Sequence, residues 1–208
     1  MSGIIAQNTL DNSGLIKSPA GGGAWTFIKK LTASSDSTLE MVHGTSDVTF
    51  DSTYSVYSIK CINIHPSSNT DDIKFSINFT IDGTNYNVAK TTTSFDAYAD
   101  EADSSAALRY LATKDLAQGT GAQNLSYSVG GENDESCSGE ILVFAPSNTT
   151  YVKHFIANFN FYNSGDYSVH DINAGYCNTT SALTGFQFKF SSGNIDAGDI
   201  VLMGLSSS

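Results

Sequence analysis

The residues that could carry chemistry are few, and their spacing matches no common catalytic or metal-binding pattern. Carboxylates cluster twice, at Asp96/Asp100/Glu101/Asp103 and at Glu132/Asp134/Glu135. Converging carboxylate oxygens can hold calcium, and two acids across a groove can act as general acid and base on a glycoside. Neither cluster has the loop order of an EF-hand with its distal Glu, so solvated loop charge is the better reading. His43, His65, His154 and His170 form no HExxH or HxH pair that would point to a metal. No Gly-x-Ser-x-Gly elbow marks a nucleophile, and the short run His43–Asp47 is too local for triad geometry. Gly119 and Gly121 lack the lysine and helix of a phosphate loop. These residues imply no enzyme and no cofactor.

Three cysteines, Cys61, Cys137 and Cys177, are widely spaced and form no CxxC pair. Cys61 and Cys177 sit in apolar strand-like runs and are expected as buried thiols; Cys137 sits in a polar stretch and is expected at the surface. Four sequons, at Asn78, Asn124, Asn148 and Asn178, are what chance gives in a chain so rich in Asn, Ser and Thr. Tyr98, Tyr127 and Tyr167 are expected in exposed loops, where tyrosine beside asparagine suits a glycan or a protein surface.

The elements that must position these groups read as β-strands. In Asp72–Ile81, Ile73, Phe75, Ile77, Phe79 and Ile81 alternate with Lys74, Ser76, Asn78 and Thr80. That period of two predicts one buried and one solvated face. Asp82-Gly83 predicts a tight turn into a hairpin with Asn85–Thr92. Further strands are expected at Trp25–Ala33, Thr38–His43, Tyr54–His65, Leu125–Val129, Glu140–Ala145, Val152–Tyr162, Val169–Tyr176, Phe186–Phe190 and Asp199–Leu205. Within Tyr54–His65 the apolar parity switches after Cys61, which predicts a β-bulge. The aromatic line Tyr151, Phe155, Phe159, Phe161 and Tyr162 is expected in the core. Alanine-rich Phe95–Gln118 predicts one short helix with Asp103 or Ser104 as N-cap, although Phe95–Tyr98 also fits a continued strand. The spacing of about eleven strands is that of a sandwich or barrel.

With 21 acidic against 10 basic residues the net charge is −11, which disfavours a phosphate backbone as partner. The N-terminus has no basic segment followed by an apolar one, so no signal peptide is expected, and no apolar run is long enough to cross a membrane. Residues 1–24 form a separate unit: Ile4, Ile5, Leu10, Leu15 and Ile16 stand as isolated apolar anchors before the glycine hinge Gly21–Gly23. This predicts an extended docking arm ahead of a body at 25–208.

Segments across nearly the whole chain resemble a family of small structural proteins of tailed bacteriophages, notably marine ones. They are Met1–Asn8, Trp25–Ala33, Ile62–Pro66, Asp115–Thr120, Tyr151–Phe155 and Ser192–Leu205. The closing alternation Gly198-Asp-Ile200-Val-Leu202-Met-Gly204-Leu205 is similar to the last strand of jelly-roll appendage domains on virions. The resemblance implies an all-β, antiparallel β-sandwich of jelly-roll type and a non-enzymatic virion role, made in the host cytoplasm. It also implies other phage structural proteins as partners, self-assembly (a trimer by analogy), and either a tail or fibre position touching host glycan or protein, or a capsid decoration. A carbohydrate-active enzyme and a calcium-dependent glycan-binding sandwich are the rivals from other classes. The arm would anchor the protein. Glu132, Asn133, Asp134, Asn163, Asp166 and Tyr167 would make exposed loop contacts.

Overall fold

The computed structural model describes residues 25–206, so the arm with Ile4, Ile5, Leu10, Leu15 and Ile16 lies outside the described residues. Twelve strands run β1 (Trp25–Thr32), β2 (Leu39–Val42), β3 (Tyr54–Pro66), β4 (Phe75–Thr80), β5 (Lys90–Asp100), β6 (Ala106–Tyr110), β7 (Gln123–Asn124), β8 (Cys137–Phe144), β9 (Lys153–Asn163), β10 (Tyr167–Cys177), β11 (Gly185–Phe190) and β12 (Ile195–Ser206). They make two antiparallel sheets: eight strands in the order β1-β12-β3-β8-β9-β10-β5-β6, and four in the order β2-β11-β4-β7. The pairs β1·β12, β2·β11, β3·β8 and β4·β7 nest first strand with last, alternating between sheets. We take that nesting, from strand order alone, as jelly-roll topology. The hairpins β5–β6 and β9–β10 are additions, and both widen the larger sheet beyond β8.

The core between the sheets is aromatic: Phe75 packs on Phe159, Phe188 and Phe190, while Phe79 meets Phe155 and Phe186. Strict alternation in β9 sends Phe155, Phe159 and Phe161 inward and His154, Ile156 and Asn158 outward. Of that aromatic line, Tyr151 is exposed and Tyr162 is half-buried. The expected bulge is present. Pairing of β3 with β8 slips between Cys61 and Ile64, Asn63 takes φ 50°, and Ile62 turns outward.

Several expectations are corrected. The hairpin between 72–81 and 85–92 does not form, because both edges of β4 are taken, by β11 and β7. Asp82-Gly83 does turn, with Gly83 at φ 79°, but the chain then crosses to the other sheet as β5. The polar face of β4 is covered rather than solvated: Asn78 donates to the Tyr86 and Thr120 carbonyls of loops folded over it. Ile81, past the strand end, is exposed. Residues 95–118 hold no α-helix. The strand alternative wins, as Ser94, Asp96 and Tyr98 point inward and Phe95, Ala97 and Ala99 outward, leaving one 3-10 turn at Ala112–Lys114. Sheet pairing on both sides of β5 outweighs alanine's helix preference. Asp103 sits in the β5–β6 turn at φ 53°, and Ser104 donates to Asp100 there, so neither caps a helix. The strand expected at 125–129 does not form; pairing stops just before it, at Gln123–Asn124, although Leu125 and Val129 are fully buried. Cys137 opens β8 facing Ile64 and Phe161 and is buried, like Cys61 and Cys177.

Strand direction gives the molecule two unlike ends. Trp25 pairs with Leu205, so residues 1–24 attach beside the last strand's end. The opposite end carries the turns after β3, β5 and β9 and before β8 and β12, and these hold Asp71, Asp72, Glu101, Asp103, Glu132, Asp134, Glu135 and Asp166, eight of the 21 acidic residues.

Candidate functional site

The added hairpins create the candidate site. Strands β10 and β5 alternate like any half-buried strand, but their inward residues are polar: Asp171 and Asn173 on one, Ser94 and Asp96 on the other. The smaller sheet ends at the two-residue β7, so the segment 111–127 covers this polar strip instead. Buried polar groups need partners, and here they find them. Ser94 donates to Asn173 at 2.8 Å; Gln123 donates to Asn173 at 3.1 Å and to the Lys114 carbonyl at 3.3 Å; Asn173 donates to Asp171 at 3.1 Å. Lys114 closes on Asp171 as a buried ion pair. Burial pushes the Asp171 carboxyl up and the Lys114 amine down, each opposed by the other's charge. The Gln123 Oε1 atom is buried without a hydrogen-bond partner.

Asp171 and Asp96 are direct cross-strand neighbours. A pair so placed is what glycoside hydrolysis uses, but both carboxylates are fully buried and occupied. Arg109, the chain's single arginine, grips Asp96 with Nε at 3.1 Å and Nη2 at 2.6 Å. The Tyr127 hydroxyl also donates to Asp96. The bond to Asp96 holds the Arg109 guanidinium well above its ordinary pKa, and burial raises that of Tyr127.

Arg109 lies 4.3 Å over the Tyr98 ring, and Tyr98 meets Tyr167 edge-on at 5.5 Å. Tyr98, Arg109, Tyr127, Asn163, Tyr167 and Val169 thereby line a cleft of about 170 Å³, open at the acidic end. On the far side of Arg109 and Tyr127 a second hollow of about 380 Å³ runs past Lys74, Thr113 and Asn124. Aromatic rings beside a guanidinium plane held in place by Asp96 suit a polar, ring-shaped ligand such as a sugar. The guanidinium is already neutralised by Asp96, so an anionic ligand is not favoured.

The three tyrosines expected at the surface, 98, 127 and 167, thus meet around one arginine, half-buried instead of free. Of the expected loop contacts, Asn163 and Tyr167 line the cleft. Asp166 caps the β9–β10 turn at φ 62° and accepts from Tyr162 at 2.8 Å. Asn133 and Asp134 border a separate acidic hollow with His65, Glu135 and Asp196, and Glu132 is exposed beside it. The two loops are tied together by Gly130 N–H to the Tyr162 carbonyl and Ser164 N–H to the Ser128 carbonyl, so all six residues share one end. Glu135 turns inward to accept from the Glu132 amide at 2.6 Å. Among the described residues no group of three or more His, Cys, Asp or Glu is placed to hold a metal ion, and no helix is long and apolar enough to cross a membrane. Arg109 was not singled out from sequence; its uniqueness in the chain was the available signal.

No family model matches the chain, and no curated protein matches it. Among solved structures, the CBM2 module of the evolved Dit of Lactobacillus casei BL23 phage J-1 is 9% identical over 91% of this chain and 81% of that one, with a TM-score of 0.23. A score that low carries no argument about fold or function here.

Proposed function

We propose that this is a non-enzymatic structural protein of a bacteriophage virion, a self-associating appendage anchored through residues 1–24. The resemblance of the sequence to phage structural proteins motivates the virion role. The observation that supports an appendage is the molecule's polarity: the arm attaches at the Trp25–Leu205 end, while the acidic loops and the tyrosine cleft lie at the other. A protein held by its arm would present that far end outward. The non-enzymatic reading is supported by the closed state of the Asp96–Asp171 pair, each acid buried and tied to a cation.

Antibody labelling of purified particles under the electron microscope tests the role. Label on the tail or fibres supports host contact. Label over the icosahedral shell makes the protein a head decoration instead. Absence from particles under conditions that expose buried epitopes sinks the virion reading, and normal incorporation after deletion of residues 1–24 sinks the anchoring role.

A second reading, glycan binding at the distal end, is favoured by the Tyr98–Arg109–Tyr167 cleft. A glycan array probed with the full chain should show neutral-sugar binding that Tyr167→Ala removes while the fold, checked by circular dichroism, is kept. Binding unchanged by that substitution would exclude the cleft.

A further inference from the structure

The outer face of the eight-stranded sheet is apolar along both edges, and neither sheet of the described residues covers it. On β1 at one edge, Trp25 and Phe27 are 40% and 61% exposed; on β6 at the other, Leu108 and Tyr110 are 73% and 64% exposed. Ile156 on β9 and Phe95 on β5, at 45% and 42%, lie between them. The register shows that these residues share one face. Phe27 pairs with Met203, Ile156 with both Leu142 and Ala174, and Phe95 with both Ile172 and Tyr110. At ~200 Å² for a large side chain the six exposed fractions come to roughly 650 Å² of apolar surface. A monomer's largest patch is about 300–600 Å², and each partner in a stable pair buries about 800 Å². This face therefore exceeds the largest patch of an ordinary monomer and would supply most of what one partner of a stable pair buries. Its charges are already partnered within the chain: Lys30 with Asp199 and Lys60 with Glu140, each at 3.1 Å.

We propose that this face is the self-association surface, and that its occupant is a second copy of the chain. The arrangement that fits is cyclic, with the symmetry axis parallel to the strands. Rotation about such an axis brings the β1 edge of one copy against the β6 edge of the next, whether two copies close the ring or three. Trp25 and Phe27 then pack on Leu108 and Tyr110 of the neighbour. All arm ends come together at one end of the assembly, and all acidic loops at the other. Carboxylate repulsion at the loop end opposes association, so added salt should strengthen it. This inference needs only the described residues and stands or falls apart from the virion role.

The test is light scattering on the full chain after size exclusion, with Phe27→Glu and Leu108→Glu as variants. Both positions are well exposed, so the fold should survive, and circular dichroism checks that it does. The expected result is a multimer at high micromolar concentration, strengthened by salt, with each variant weakening association by about tenfold or more. A monomeric full chain overturns the proposal, whether the face is bare or covered by the arm of its own copy. A multimer that neither substitution weakens, or one that salt dissociates, overturns it too.

Discussion

Replacing Lys114 by Met removes the one cation that, among the described residues, contacts the Asp171 carboxylate, while keeping the volume of the side chain. Asp171 is fully buried and Lys114 is 7% exposed, so water cannot take the amine's place. What remains is one hydrogen bond from Asn173 at 3.1 Å, with the Ser94 hydroxyl, whose proton goes to Asn173, 3.3 Å away. Contact charges at an effective dielectric of ~20 attract by about 5 kcal/mol, and breaking buried pairs costs about 3–5 kcal/mol. The expected loss near neutral pH is therefore about 4 kcal/mol, or roughly 8–16 °C in Tm for a chain of this size. Because burial already raises the Asp171 pKa, losing Lys114 raises it further above the unfolded value of about 3.9. Between those two values the folded state holds more protons than the unfolded one, so stability falls as pH rises through the window. Acidification should then shrink the variant's deficit, by up to about 1.4 kcal/mol per pH unit. Adding Asp171→Asn to Lys114→Met should recover most of the loss. Urea unfolding followed by circular dichroism at neutral pH and at about pH 4.5 measures all three quantities. A single variant within about 1 kcal/mol of the wild type, or a deficit that ignores pH, would refute the reasoning.

Other outcomes follow from the same physical arguments. Burial lowers the Lys90 pKa to about 8, so its contribution is lost as pH falls through that value and regained toward the unfolded pKa. The stability difference between wild type and Lys90→Met should thus shift by about 2 kcal/mol in favour of wild type between pH 8 and 9.5; no shift, or one of opposite sign, rejects it. Burial also raises the Cys61 and Cys137 thiols and pushes Cys177 up to about 12. A thiol reagent should find no fast-reacting cysteine in the folded chain and all three after denaturation. Gly198 has φ 113°, and a Cβ there would lie 2.5 Å from the Asn63 carbonyl oxygen. Gly198→Ala should cost about 3 kcal/mol in chemical unfolding, and a neutral result would mean that the bulge relaxes freely.

Much of this arrangement was legible in the alternation of residue types. β9 could be read inward-outward from Phe155 to Phe161, and the slipped parity after Cys61 marked a bulge. Where reading failed, pairing partners distant in sequence were the cause. The face of β4 holding Ser76, Asn78 and Thr80 is polar like a solvated one, and only the loops crossing over it show that it is buried. Phe95–Gln118 has the local composition of a helix; its first part is held as a strand by Tyr167–Cys177 on one side and by Ala106–Tyr110 of the same segment on the other, and no short-range signal reports the contact with Tyr167–Cys177. Tyr98, Tyr127 and Tyr167 stand out because tyrosine is conspicuous in polar runs. Their convergence on Arg109 depends on β5 and β10 being neighbours, which a single sequence does not disclose.

The placement of polar residues also explains why the cleft sits where it does. Eight nested strands make a closed aromatic core, and the smaller sheet reaches only as far as β7. The larger sheet continues past that limit through β9, β10, β5 and β6, so part of its inner face has no apolar layer to pack against. Filling that strip with aliphatic side chains would leave a second core half covered by a coil. Asp96, Asp171, Ser94 and Asn173 instead use hydrogen bonds and two ion pairs to fix the covering segment 111–127 in place. Directional bonds hold an irregular segment better than dispersion can, at the cost of desolvating charge. The same network fixes the orientation of Arg109 and Tyr127 before any ligand arrives. Pre-oriented donors and rings lose less conformational freedom on binding than mobile loops do. The β5–β6 hairpin that ends this strip also carries Leu108 and Tyr110 outward. One insertion therefore supplies both a wall of the cleft and an edge of the self-association face, and substitutions in it should be sorted by which way each side chain points.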